Sequence, residues 1–122
     1  MGRVRTIEIS ATVGAAGTGS TTTSAIVHGK ILAVEVNYPT NTVTVDLDSQ
    51  EMVSQKIVDL AAANTDAVIY PRTPAQDNTG TDVTYDGTNE IYTPIVVNGR
   101  IKLSLASGTA TEVVKVAIHY ED

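Results

Sequence analysis

The spacing of the β-branched residues constrains this chain more than any other feature. Thr, Val and Ile fill 44 of its 122 positions, and such side chains favour a pleated, half-buried surface over a helix. They recur at a period of two. Val43, Val45 and Leu47 alternate with Thr42, Thr44 and Asp46, and Val114, Val116, Ile118 and Tyr120 alternate with Val113, Lys115, Ala117 and His119. Arg5, Ile7 and Ile9 face away from Val4, Thr6 and Glu8, and Leu32, Val34, Val36 and Tyr38 away from Glu35 and Asn37. This pattern predicts strands with one face buried. Only 48–63 admits a second reading. Asp48 followed by Glu51 resembles a helix capping box, and Val53, Ile57, Leu60 and Ala61 fall on a helical stripe. Continuation of the β pattern through Ile57-Val58-Asp59-Leu60 is the favoured alternative.

Turn chemistry divides these runs. His28-Gly29-Lys30 predicts a turn or bulge, and Pro39-Thr40-Asn41 a hairpin joining the runs on either side. Two prolines in Pro71-Arg72-Thr73-Pro74 end the strand at Ala67–Tyr70, and a polar loop from Ala75 to Thr81 precedes a short strand at Asp82–Asp86. Asp86-Gly87 and Gly108 mark further turns. Asn98-Gly99 predicts a type I′ hairpin that folds Ile101, Leu103 and Leu105 back opposite Ile95 and Val97. Residues 13–24, rich in Gly, Ala, Ser and Thr, bury little and predict a flexible loop or arm. About eight or nine strands result. The expected fold is all-β, a single-domain antiparallel β-sandwich of jelly-roll type over residues 1–122. Without strong helices there are no βαβ units, and a parallel sheet with its ligand crevice is not expected.

Composition narrows the chemistry. The chain has no Cys, Trp or Phe, five Tyr and two His, which excludes thiol chemistry, Cys-bound zinc and an indole sugar platform. A formal charge of −6 is the wrong sign for binding phosphates, so nucleic acid is not an expected partner. No apolar run approaches the ~20 residues that span a bilayer, and Met1-Gly2-Arg3-Val4 does not lead into a signal-peptide core. Gly14 to Gly19 has the glycine spacing of a phosphate loop, but Ser20 stands where its Lys must be and no helix pattern follows. His119, with Glu121 two residues on, reads as an exposed polar residue, and His28 lies beside a turn.

No nucleophile motif or catalytic carboxylate pair can be chosen, so no catalytic residue, cofactor or small-molecule substrate is assigned and the chain is not expected to be an enzyme. Asp77, Asn78, Asp82 and Asp86 are oxygen donors of the kind Ca²⁺ takes, but their spacing is not that of an EF-hand, and they equally suit turns and solvation. No metal ligands are assigned. Two segments suggest partner contacts. Tyr70-Pro71-Arg72 joins an aromatic ring, a rigid backbone and a bidentate cation, suited either to gripping a partner or to anchoring a loop with Arg72 on a carboxylate. Thr21-Thr22-Thr23 lies in the predicted arm, which would order by adding a strand to a neighbour's sheet edge.

The ordered series of features also carries a resemblance. Gly29-Lys30-Ile31-Leu32-Ala33-Val34 opens into a Thr/Val-rich run, followed by Asn64-Thr65-Asp66, Tyr70-Pro71-Arg72, a Gly-rich polar stretch with Asp82-Val83-Thr84-Tyr85, Pro94 to Ile101, and a Val-rich last strand ending in Tyr120-Glu121. Over residues 28–122 this resembles small tailed-phage virion proteins. The resemblance implies a capsid decoration or cement protein that clamps neighbouring major-capsid subunits, often as a homotrimer. It further implies synthesis in the host cytoplasm, residence on the outer capsid surface of the virion, and no catalytic residues to carry over. The rival expectation is a β-sandwich that binds carbohydrate or a cell surface, disfavoured by the few aromatic rings.

Overall fold

The alternating runs become strands. The computed structural model describes residues 2–122, in which ten strands form: β1 (Val4–Thr12), β2 (Gly19–Thr22), β3 (Val27–Asn37), β4 (Val43–Gln50), β5 (Lys56–Ala63), β6 (Ala67–Ile69), β7 (Arg72–Pro74), β8 (Tyr92–Pro94), β9 (Val96–Ala106) and β10 (Val113–Glu121). There is no helix among the described residues, and 56–63 is a strand. All pairing is antiparallel and much of it is nested: β4 with β5, β3 with β6, β2 with β9, β1 with β10. A long hairpin rolled up on itself pairs in this way. It gives one layer ordered β1-β10-β3-β6 and another ordered β2-β9-β4-β5, the jelly roll of two antiparallel sheets. The start of β9, Val96 to Gly99, also pairs with Lys30 to Val27 of β3 and joins the two layers into one eight-stranded sheet. Strands β7 and β8 form a separate two-stranded sheet in the connection between β6 and β9.

The core fills the space between the layers with aliphatic side chains. Ile31, Leu47, Ile101, Leu103 and Ile118 are wholly buried, with valines between them, and Tyr38 is the one aromatic ring in the buried cluster. Inward positions of β4 and β10 are those the alternation predicts: Val43, Val45 and Leu47, and Val114, Val116 and Ile118.

Several local expectations are corrected. Asn98-Gly99 makes no turn, because both residues lie within the continuous strand β9, whose inward face runs unbroken through Ile95, Val97, Gly99, Ile101, Leu103 and Leu105. Gly99 is there for space: a Cβ on it would stand 2.7 Å from the Gln50 carbonyl oxygen. Pro39-Thr40-Asn41 does not join a hairpin either. It carries the chain from β3 in one layer to β4 in the other, braced by Asp66, whose carboxylate accepts the Tyr38 N–H at 2.9 Å and the Asn37 side-chain amide at 3.0 Å.

Residues 13–24 are part of the sandwich. Gly14 to Thr18 closes a tight turn, Gly19 to Thr22 pairs with Leu105 to Lys102 as β2, and buried Thr23 accepts the Ile101 N–H on its hydroxyl at 3.0 Å. In β3 the backbone runs through His28-Gly29-Lys30 without turning, with Gly29 at φ 124°. One extra residue at Leu32, opposite the step from His119 to Tyr120, rotates the strand so that Ile31 enters the core and Leu32 is only half-buried. Asp82–Asp86 contributes bridges to Gln76 and Glu90 rather than a full strand.

Candidate protein-docking surface

Rolling up the hairpin sorts the loops into two sets, one at each end of the sandwich. At the end where β3 finishes lie 13–18, 38–42, 64–66 and 107–112, which are small or polar. The other end collects 23–26, 51–55 and the long connection from Tyr70 to Ile95. Eleven large apolar side chains are exposed among the described residues, and eight of them belong to this second set or to the residue that follows it. Ile26 stands before β3, Met52 and Val53 form the tip between β4 and β5, and Val96 begins β9. Tyr70, Tyr85, Ile91 and Tyr92 line the long connection. Single exposed apolar residues are ordinary, but here most of them fall in the loops that the topology sends to one end of the sandwich.

Hydrogen bonds hold this end in shape. The Glu51 carboxylate accepts the Asn98 N–H at 2.9 Å and the Gln55 amide at 2.9 Å, and that amide also donates to the Val96 carbonyl at 3.0 Å. The Ser49 hydroxyl, with Gln55 and the Asn98 N–H, keeps Glu51 below the usual carboxylate range. The tip bearing Met52 and Val53 is thereby fixed to the first residues of β9.

The long connection leaves β6 at Tyr70 and returns at Ile95, whose carbonyl accepts the Ile31 N–H at 2.9 Å. Between these points it is a compact meander. The Ala75 N–H donates to Ile91, Val83 to Ala75, and Ile91 to Val83. Its two tips are built alike. The Asp77 carboxylate accepts the hydroxyl of Thr79 and the N–H groups of Thr79 and Thr81, ahead of Gly80 at φ 84°. The Asp86 carboxylate accepts the N–H groups of Asn89 and Thr88, around Gly87 at φ 83°. These donors, the Thr79 hydroxyl foremost for Asp77 and the Asn89 N–H for Asp86, hold both carboxyls below their ordinary range. The carboxylates therefore act as turn caps. Among the described residues no three His, Asp or Glu side chains gather as a metal-binding set.

The residues singled out in the sequence are dispersed. Tyr70 is 64% exposed, Pro71 is buried against the body, and Arg72 extends its guanidinium to the Pro71 carbonyl at 2.8 Å and the Leu32 carbonyl at 3.5 Å. Arg72 anchors the root of the meander on backbone oxygens, and among the described residues no carboxylate pairs with it. Thr21, Thr22 and Thr23 lie in and after β2, at an edge of the other layer, and the structure does not bring them to Tyr70. Sequence reasoning missed Tyr85, Tyr92, Met52 and Val53. The signal for the tyrosines was present: with no Trp or Phe, three of five Tyr fall within 70–92.

Two polar clusters lie on the outer faces of the sheets. His119 bridges neighbouring strands, with Nε2 2.6 Å from Glu35 and Nδ1 2.8 Å from Thr6, so its partner is Glu35 rather than Glu121. On β4 and β5, Lys56 lies 3.2 Å from Asp48 and 3.9 Å from Asp46. Burial, and then a hydrogen bond shared with Asp59, push the Asp46 carboxyl above its ordinary range. A hollow between β1 and β10 is lined by Glu8, Ile9, Ser10, Lys115, Val116 and Ala117. No protein-family model matches the chain, and no curated protein sequence matches it.

Proposed function

We propose that this chain is a non-enzymatic structural protein of a bacteriophage virion, a decoration or cement protein that binds the major capsid protein on the outside of an assembled head. The observation that carries the reading is the gathering of exposed apolar side chains at one end of a braced jelly roll whose other end is small and polar. A decoration protein needs a rigid body with one adhesive end, because it stabilises the shell by binding only its assembled form. The fold is compatible, since jelly rolls occur in viral shell proteins, though a fold alone assigns no activity. The ordered sequence features over residues 28–122 point to the same class and bring with them the homotrimer as the working form.

The test is cosedimentation of the purified chain with emptied, expanded heads of the source phage, across a series of salt concentrations. Saturable binding, together with a higher melting temperature of the heads, is the expected result. No binding at any salt concentration overturns the reading.

A further inference from the structure

We infer that the meander between Tyr70 and Ile95 is the docking element, and that it seats on a basic protein surface contributed by a different chain. The inference deepens the decoration reading and rests on it. Three observations lead here. The first is aromatic exposure: Tyr70, Tyr85 and Tyr92 are 64%, 71% and 60% exposed, while the other two tyrosines of the chain are at least partly buried. Tyrosine gives a large contact area and a polar tip at low entropic cost, and it is enriched where binding energy concentrates.

Charge is the second. Between 70 and 95 the chain carries Asp77, Asp82, Asp86 and Glu90 against Arg72 alone, a formal charge of −3. Asp77 and Asp86 are held ionised by their caps, and Arg72 is turned back onto the body. An acidic element of this kind is repelled by nucleic acid and by anionic lipid. It is also mismatched to a second copy, because the whole chain has a charge of −6 and two of its cations, Arg5 and Lys56, are already engaged by Asp122 and Asp48. A basic protein surface is the complement.

Rigidity is the third. The meander's cross-strand bonds and capped tips order it before binding, so little conformational entropy is lost on docking. Acidic residues then steer the encounter, and tyrosines hold the complex.

The experiment measures association and dissociation on immobilised emptied heads of the source phage. Tyr85→Ala/Tyr92→Ala should dissociate at least ~10-fold faster than the parent chain. Asp82→Asn/Glu90→Gln, which leaves both turn caps intact, should associate ~3- to 10-fold more slowly at low salt, show a weaker salt dependence and dissociate nearly as the parent does. Val113→Ala/Lys115→Ala, on the last strand away from the meander, is the control and should bind normally. Amide-exchange protection of the β9 and β10 core, retained in every variant, excludes misfolding as the cause. If the parent binds heads and both meander variants bind equally well, the docking assignment is overturned and the decoration reading stands. If the parent does not bind heads at all, the decoration reading falls and takes the assignment with it. If sedimentation velocity shows Tyr85→Ala/Tyr92→Ala dissociating a parental oligomer, the occupant is a second copy and the basic-partner assignment is overturned.

Discussion

A methyl group at position 99 would meet the Gln50 carbonyl oxygen at 2.7 Å, a contact that Cβ atoms do not tolerate, so β9 must bend away from β4 to accept it. Gly99→Ala should therefore cost roughly 1–3 kcal/mol, measured by urea unfolding. Leu103→Ala, wholly buried on the same strand, should cost about 2–5 kcal/mol through lost burial and the cavity left behind. Asp46 gives a prediction of opposite sign. Burial raises its pKa in the fold, so the folded chain holds that proton more tightly than the unfolded chain does. Ionisation then opposes folding above the unfolded value, near ~3.9, and does so fully above the folded value. Asp46→Asn should raise the melting temperature at pH 7, and the gain should vanish as the pH falls toward ~3. At this scale the sequence was only partly legible. Asn98-Gly99 has the chemistry of a tight turn, yet its phase argues otherwise. A two-residue hairpin there would pair Val97 with Arg100 and Ile95 with Lys102, placing two cations on the buried face. An unbroken strand keeps Ile101, Leu103 and Leu105 in step with Ile95 and Val97, as the structure has them.

Among the elements, β2 and the meander make opposite demands on the fold. Deleting residues 14–23 removes the strand that covers Leu105 to Lys102 and the hydroxyl that receives the Ile101 N–H, so the shortened chain should lose its cooperative unfolding transition. The element was hard to read because Gly19, Ser20 and three threonines show no apolar face, and their role is to close an edge. Replacing residues 73–93 by a short Gly/Ser linker should leave the unfolding midpoint within a few degrees, because the meander's bonds are largely its own. Acid provides a second test of it. The caps at Asp77 and Asp86 have lowered pKa values, so their contribution is present above the unfolded value and lost as the pH falls through the lower folded values. Below pH ~3.9, amide-exchange protection relative to the intrinsic rate should fall at Thr79, Thr81, Thr88 and Asn89 before it does in β9 or β10. Strand positions and inward faces were legible because alternation is a local property. The pairing was not, since a jelly roll joins β1 to β10 and β2 to β9 across most of the chain.

For the molecule as a whole, the core of valines and isoleucines makes a stiff body, and the topology decides which loops share an end. That second fact brings the loops that carry the scattered exposed side chains to the same end of the sandwich. Ile26, Met52 and Tyr85 are far apart in sequence and carry no common motif, so only the fold shows that their loops share an end. Net acidity and the absence of indole and thiol groups narrowed the chemistry, but composition does not say where a partner binds. The most direct test of the account is a cryo-electron microscopy reconstruction of the source virion. It should show this jelly roll on the outer face of the head, with the tips at Asp77 and Asp86 directed into the shell and Gly14 to Thr18 facing solvent. Absence of the jelly roll from the outer surface, or its attachment through the Gly14 to Thr18 end, would contradict the account.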